Sequence, residues 1–225
     1  MMKLFFSLCL TLVFLTSAFC EDDMQVLLAK AKAGDPAAQA SVGTIYALGR
    51  PGTYRDTREA AKWFTKAAEQ GNADAQFSLA GLYELGRGVP KDIPTAVKWY
   101  GLAAKQGNVE SQFALGRLYD IGNGVPKDLS MAEKYYTQAG QNNHPLAELR
   151  LAQMYEKGEG VARDYPKSMK WYLTVQDMAI AQYRIGYFYE HGLGVEEDRK
   201  KALEWYHKAA KGSDDARVAI QQMQR

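Results

Sequence analysis

Beyond residue 20 the chain has no cysteine, since its two, Cys9 and Cys20, both fall in an apolar leader. Disulfides and thiolate zinc sites are therefore excluded from the remainder, which must hold together by burial alone. A chain of this size can do so, burying roughly 70 per cent of its unfolded surface. Histidine is also scarce: His144, His191 and His207 form no His-Glu-x-x-His pair, so no metal site is expected and all three read as solvated. Neither sign of charge is in surplus, with 28 basic side chains against 26 acidic, and loss of the leader would remove only Lys3. That balance gives nucleic acid or an anionic membrane no electrostatic purchase. The chain has no Asn-x-Ser/Thr sequon, no Gly-Lys-Ser/Thr, no Gly-x-Ser-x-Gly and no serine followed three residues later by lysine. N-glycosylation, a phosphate cradle, a nucleophile elbow and serine β-lactam chemistry are thus not implied, and neither catalytic residues nor a cofactor are expected.

The one long apolar run lies between Leu8 and Leu15, follows Lys3, and is succeeded by the small residues around Ala18 and then Glu21-Asp22-Asp23. This is the pattern of a secretory signal peptide over residues 1–20, too short for a membrane span of about 20 apolar residues. Cleavage after Cys20, or after Ala18, predicts an exported product, periplasmic or secreted, without stable membrane insertion. Bulky Phe19 before Cys20 disfavours lipid attachment.

What the chain has in abundance is repetition. The stretch "YELGRGVPKDIPTAVKWY" from Tyr83 resembles a phosphate-binding glycine loop, but "YDIGNGVPKDLSMAEKYY" from Tyr119, "YEKGEGVARDYPKSMKWY" from Tyr155 and "YEHGLGVEEDRKKALEWY" from Tyr189 copy it. A loop that occurs four times is architecture. The units run over about 34–70, 71–106, 107–142, 143–176 and 177–211, with a partial one over 212–225 and a capping helix over 21–33.

Each unit reads as two helices. Ala75, Leu79, Ala80 and Tyr83 share one face of the first. Gly86 ends it at a position that favours positive φ, and Asp92 caps the second, with Pro94 in its first turn. Gly49, Gly122, Gly158 and Gly192 repeat the stop, and Asp128, Asp164 and Asp198 repeat the cap. Small Ala60, Ala96, Ala132, Ser168 and Ala202 precede the aromatic pairs Trp63-Phe64, Trp99-Tyr100, Tyr135-Tyr136, Trp171-Tyr172 and Trp205-Tyr206. The fixed register of those pairs predicts core rather than a stacking platform for ligands. One helix pair cannot bury such a stripe alone, so the pairs must stack into an α/α solenoid with a concave groove.

The unit, Ala-x-x-Leu-Gly-x-x-Tyr, Gly-x-Gly-Val-x-x-Asp, then Lys-Ala-x-x-Trp-Tyr-x-x-Ala-Ala and a turn glycine, resembles the Sel1-like repeat, a relative of the tetratricopeptide repeat, over about 34–220. The resemblance implies an all-α fold: a right-handed superhelix of about five helix-turn-helix repeats with a C-terminal capping helix. It also implies a non-enzymatic adaptor or scaffold for a protein or peptide, frequently exported from bacteria, with envelope regulation or host contact among its roles. The competing readings are an envelope enzyme acting on cell-wall polymer or β-lactams, and a self-assembling structural component. Two departures stand out: the first loop, "GRPGTYRDT", is longer, and the fourth unit is two residues short and lacks the Ala-Ala pair, which predicts irregular packing there.

Variation between units marks the candidate site. On the first helices the stripe opposite the core runs from Ser41, Thr44 and Leu48 through Asp74, Ser78, Gly81 and Leu85 to arginine and aromatic residues in the C-terminal half. Arg117, Arg150, Gln153, Lys157, Arg184, Tyr187 and His191 form the candidate partner-binding groove, since arginine and tyrosine suit carboxylates and apolar anchors. Glu84, Asp120, Glu156 and Glu190, each after the recurring tyrosine, read as a solvated ladder along its edge.

Overall fold

The computed structural model describes residues 23–49 and 54–224. The leader, with Cys9 and Cys20, and residues 50–53 of the longer first loop lie outside the described residues. Twelve helices and no strand are found among those described, and they fall into two compact units, one ending at Asn108 and one beginning at Val109.

In the first unit α1 spans residues 23–32 and is followed by α2 (Pro36–Leu48), α3 (Thr57–Glu69), α4 (Ala73–Leu85) and α5 (Ile93–Lys105). In the second, α6 (Val109–Ile121), α7 (Leu129–Gln141), α8 (Pro145–Lys157), α9 (Tyr165–Thr174), α10 (Ala179–His191) and α11 (Arg199–Ala209) lead to the closing α12 (Asp214–Met223). Within each unit consecutive helices pack in pairs, so the architecture is an all-α repeat solenoid.

The joint inside each repeat is set by a few atoms. Asp92 accepts from the N–H of Thr95, and Asp128, Asp164 and Asp198 cap α7, α9 and α11 in the same way. The N–H of each of these aspartates donates in turn to the carbonyl of the tyrosine that precedes the loop, Asp92 to Tyr83 and Asp164 to Tyr155, which closes the loop at its neck. Gly86 takes the left-handed conformation at φ 66° and ends α4. Gly88 has a different reason to be glycine, because a Cβ there would stand 2.1 Å from the carbonyl oxygen of Thr57 at the start of α3. The loop thus lies against the preceding repeat, and Val89 packs into the core between them.

The small residue before each aromatic pair is fully buried, as at Ala60, Ala96, Ala132, Ser168 and Ala202. The aromatic pairs divide: Phe64, Tyr100, Tyr136, Tyr172 and Tyr206 are buried, whereas Trp63, Trp99, Tyr135, Trp171 and Trp205 are half-buried. Only the second member is full core, and Trp99 instead leans on the cluster that joins the first two repeats around Phe64 and Leu79. A second register of buried side chains ties helix ends together. The Gln39 and Gln76 amides donate to the carbonyls of Ala31 and Ala68 at 3.0 Å, and each accepts from the glutamine ending the following helix, Gln70 or Gln106.

The fourth repeat is short, as its sequence predicts: α9 has 10 residues where α7 has 13, and Met178 provides no side-chain cap for α10. The core nevertheless continues, because buried Val175 fills the gap among Met169, Tyr172, Ala181 and Ile185. His144 is a correction to the sequence reading. It is buried, stacks on Phe113 at 4.2 Å, and its Nδ1 accepts from the N–H of Ala147 to cap α8.

Candidate functional site

The seven candidate groove residues all lie in the second unit, on the first helices of its three repeats: Arg117 on α6, Arg150, Gln153 and Lys157 on α8, and Arg184, Tyr187 and His191 on α10. Arg117, Arg150, Gln153, Arg184 and Tyr187 are half-buried, and Lys157 and His191 are exposed.

Two of the arginines are engaged inside the fold. Arg150 reaches back to α6 and clasps Asp120 with two bonds, Nε to Oδ2 at 2.6 Å and Nη2 to Oδ1 at 2.9 Å, while its Nη1 meets Glu159 at 2.8 Å. One repeat further on, Arg184 of α10 pairs with Glu156 of α8. A guanidinium fork on a carboxylate is the stronger and more directional kind of ion pair, so each fixes the spacing of neighbouring first helices.

The carboxylates have a second partner within their own repeat. The Tyr100 hydroxyl donates to Glu84 at 2.9 Å, Tyr136 to Asp120 at 3.2 Å, Tyr172 to Glu156 at 2.6 Å and Tyr206 to Glu190 at 2.5 Å. The ladder read from sequence as solvated is therefore half-buried and bonded. The Arg150 hydrogen bond lowers the Asp120 carboxyl below its ordinary value. Burial pushes Tyr136 and Tyr206 up, reinforced by the charges of Asp120 and Glu190. Those hydroxyls stay protonated and act as fixed donors, which suits holding a shape and not moving protons.

Sequence reasoning missed this pairing, although a signal was present. In the first repeat the position after Tyr46 is Ala47, with no carboxylate, and the matching aromatic is Phe64, with no hydroxyl. Donor and acceptor are absent together, as a hydrogen-bonded pair requires.

What projects from this framework is a small platform. The Arg184 guanidinium lies 4.5 Å from the centre of the Tyr187 ring, and Tyr187 stacks on His191 at 4.1 Å with 27° between the planes. Lys157 extends one repeat away, 3.7 Å from Glu159, and Ile121 at the end of α6 is 63% exposed. Arginine and tyrosine are among the residues enriched at protein interfaces. Among the described residues no His, Asp or Glu cluster could hold a metal ion, and no helix is long and apolar enough to cross a membrane.

The family model for the Sel1 repeat matches residues 36–72, 73–108, 109–144, 145–174 and 179–214. The chain is similar to c5321, a protective antigen of uropathogenic Escherichia coli strains displaying an SLR fold, at 37% identity and a TM-score of 0.85. That match covers 89% of this chain but only 43% of the c5321 chain. It is similar to a Sel1 repeat protein from Oxalobacter formigenes at 30% identity and a TM-score of 0.75, covering 89% of this chain and 85% of that one. A putative Sel1 repeat protein from Klebsiella pneumoniae, at 22% identity and a TM-score of 0.50 over 90% of this chain and 99% of its own, shares the fold. None of the curated proteins matches.

Proposed function

Because the chain belongs to the Sel1-repeat family, whose members are protein-interaction scaffolds and typically non-catalytic, we propose that it is an exported adaptor. On this reading it docks a partner protein or peptide on the first-helix stripe of its second unit. The observation that carries the proposal is the tethering of Arg150 and Arg184 to Asp120 and Glu156. These pairs hold α6, α8 and α10 in register before any partner arrives, which lowers the ordering cost of association.

Arg150 and Arg184 are then the frame, and the contacts come from Lys157, Tyr187 and His191 with the half-buried Gln153 and Arg117 beside them. The matching partner is a segment offering a carboxylate to Lys157 and an apolar or aromatic side chain to the Tyr187 ring. Export, with a role at the envelope or beyond it, rests on the leader from Lys3 to Cys20.

Crosslinking and mass spectrometry of the tagged chain in its own compartment identifies the partner. The K157A/Y187A/H191A triple variant then tests the surface, with a loss of at least about tenfold in affinity expected if the three form a hot spot. Unchanged binding by a folded variant removes the stripe from the reading. Export is checked separately by fractionation and N-terminal sequencing, with mature protein beginning near Glu21 as the expected result.

A further inference from the structure

Four of the five repeats place glutamine at one register of the first helix, Gln39, Gln76, Gln112 and Gln182, whereas the fourth places Glu148 there. For Gln39 and Gln76 the role of that side chain is plain: the buried amide donates to the carbonyl eight residues earlier, at the end of the preceding helix. The matching carbonyl for Glu148 belongs to Gly140, on the last turn of α7. Glu148 is buried to the same degree, 5% exposed, and its Cγ lies 3.3 Å from where a Cβ on Gly140 would stand. The side chain therefore rests against α7 as the glutamines rest against their own preceding helices. A carboxylate has no proton to give a carbonyl oxygen, but a carboxylic acid has one.

We propose that the junction of the third and fourth repeats is a proton-operated latch, in which the Glu148 carboxyl closes onto the Gly140 carbonyl when protonated and withholds that bond when ionised. The groups that face it come from each element packed around it. On its own helix stands His144, the cap of α8; from α9 comes the Thr174 hydroxyl; from α6, Glu110 faces His144 with 3.5 Å between carboxylate and Nε2; α7 contributes the Gly140 backbone. Burial raises the affinity of Glu148 for its proton, with Thr174 and His144 acting in the opposite sense.

The sign follows from linkage. The folded chain takes up this proton at a higher pH than the unfolded chain, whose glutamate titrates near about 4.3. Between those two values the native state holds more protons, so the contribution of Glu148 to stability grows as the pH falls through that window and levels off below it. The helix so fastened, α8, carries Arg150, Gln153 and Lys157. Acidification thus firms the seat of that part of the stripe, whether or not the stripe binds a partner.

The test is thermal unfolding of the full chain and of E148Q between pH 7.5 and 4. Glutamine supplies the missing donor at every pH, so E148Q is expected to melt higher than the unmodified chain by roughly 2 to 4 °C at pH 7.5. The gap should close as the pH approaches 4. The same comparison in an H144N background, which carries the asparagine that caps α4, is expected to show the same closing gap. Carbon-13 NMR of the Glu148 side chain should give a midpoint above the ordinary carboxylate range. No gap at pH 7.5, a gap that does not narrow, a narrowing that vanishes in H144N, or an ordinary midpoint each overturns the latch.

Discussion

The Tyr172 hydroxyl donates to the Glu156 carboxylate at 2.6 Å, and the same carboxylate receives the Arg184 guanidinium from the following repeat. One acid thus joins the two helices of its own repeat and also the next repeat along. Y172F removes the first of these bonds while keeping the ring. It should destabilise the chain by about 1.5 to 3 kcal/mol, the range for a hydrogen bond to a charged group. Urea unfolding of Y172F, E156Q and the double variant checks this: the double should cost clearly less than the two singles together, since they share one interaction. Additive losses would mean the two groups act independently.

Asp120 gives a prediction in pH. Its carboxyl is held low by Arg150, so the unfolded chain, where aspartate titrates near about 3.9, binds the proton first as the pH falls. The contribution of the pair is therefore complete above about pH 4 and is lost as the pH drops through the folded-state value. D120N should be less stable than the unmodified chain at pH 7, and its disadvantage should shrink on acidification below pH 4. Equilibrium unfolding at pH 7, 4 and 2.5 reads the slope directly.

Tyr135 and Tyr136 allow a comparison at constant chemistry. Tyr136 is 3% exposed and donates to Asp120; Tyr135 is half-buried and stacks on Tyr119 at 5.9 Å. Tyr136→Ala should cost about 3 to 5 kcal/mol, the range for emptying a large aromatic site in a core. Tyr135→Ala should cost about 1 to 2 kcal/mol, an ordinary destabilisation. Denaturant midpoints in the reverse order would mean that the first member of each aromatic pair is the anchor.

Gly88 and Gly101 should respond to alanine with opposite signs. At Gly88 the backbone has φ 75° and a Cβ would meet the Thr57 carbonyl, so G88A should cost about 1 to 3 kcal/mol or more from strain alone. Gly101 lies inside α5 with nothing within 4 Å of an added Cβ, so G101A should stabilise by about 0.5 to 1 kcal/mol. Melting curves of the two variants decide it.

The helices, their stops and their caps were legible because each rests on local chemistry. Gly86 and Asp92 act on the residues beside them, and repetition shows the same pair again at Gly158 and Asp164. The stripe of Arg150 and Arg184 was legible as a position but not as an occupation. Their partners, Asp120 and Glu156, are about thirty residues away, and no local pattern says which acid a long side chain will reach. His144 was misread for the same reason: a histidine before Pro145 looks like a turn, and only the position of Phe113 across the packing shows it buried. Glu148 hides inside a pattern, being one atom type away from the glutamines that share its register.

The first repeat, with Ala47 and Phe64 where others have acid and tyrosine, bears on how such chains can be recombined. A hybrid made by cutting between the two helices of a repeat could set a carboxylate against a phenyl ring, or leave a buried phenol facing alanine. A cut in the turn between repeats moves donor and acceptor as one piece. The exchangeable module is therefore the helix pair with its glycine loop intact, and crossover points for grafting new faces onto this scaffold belong at turns such as Gly71-Asn72 and Gly107-Asn108.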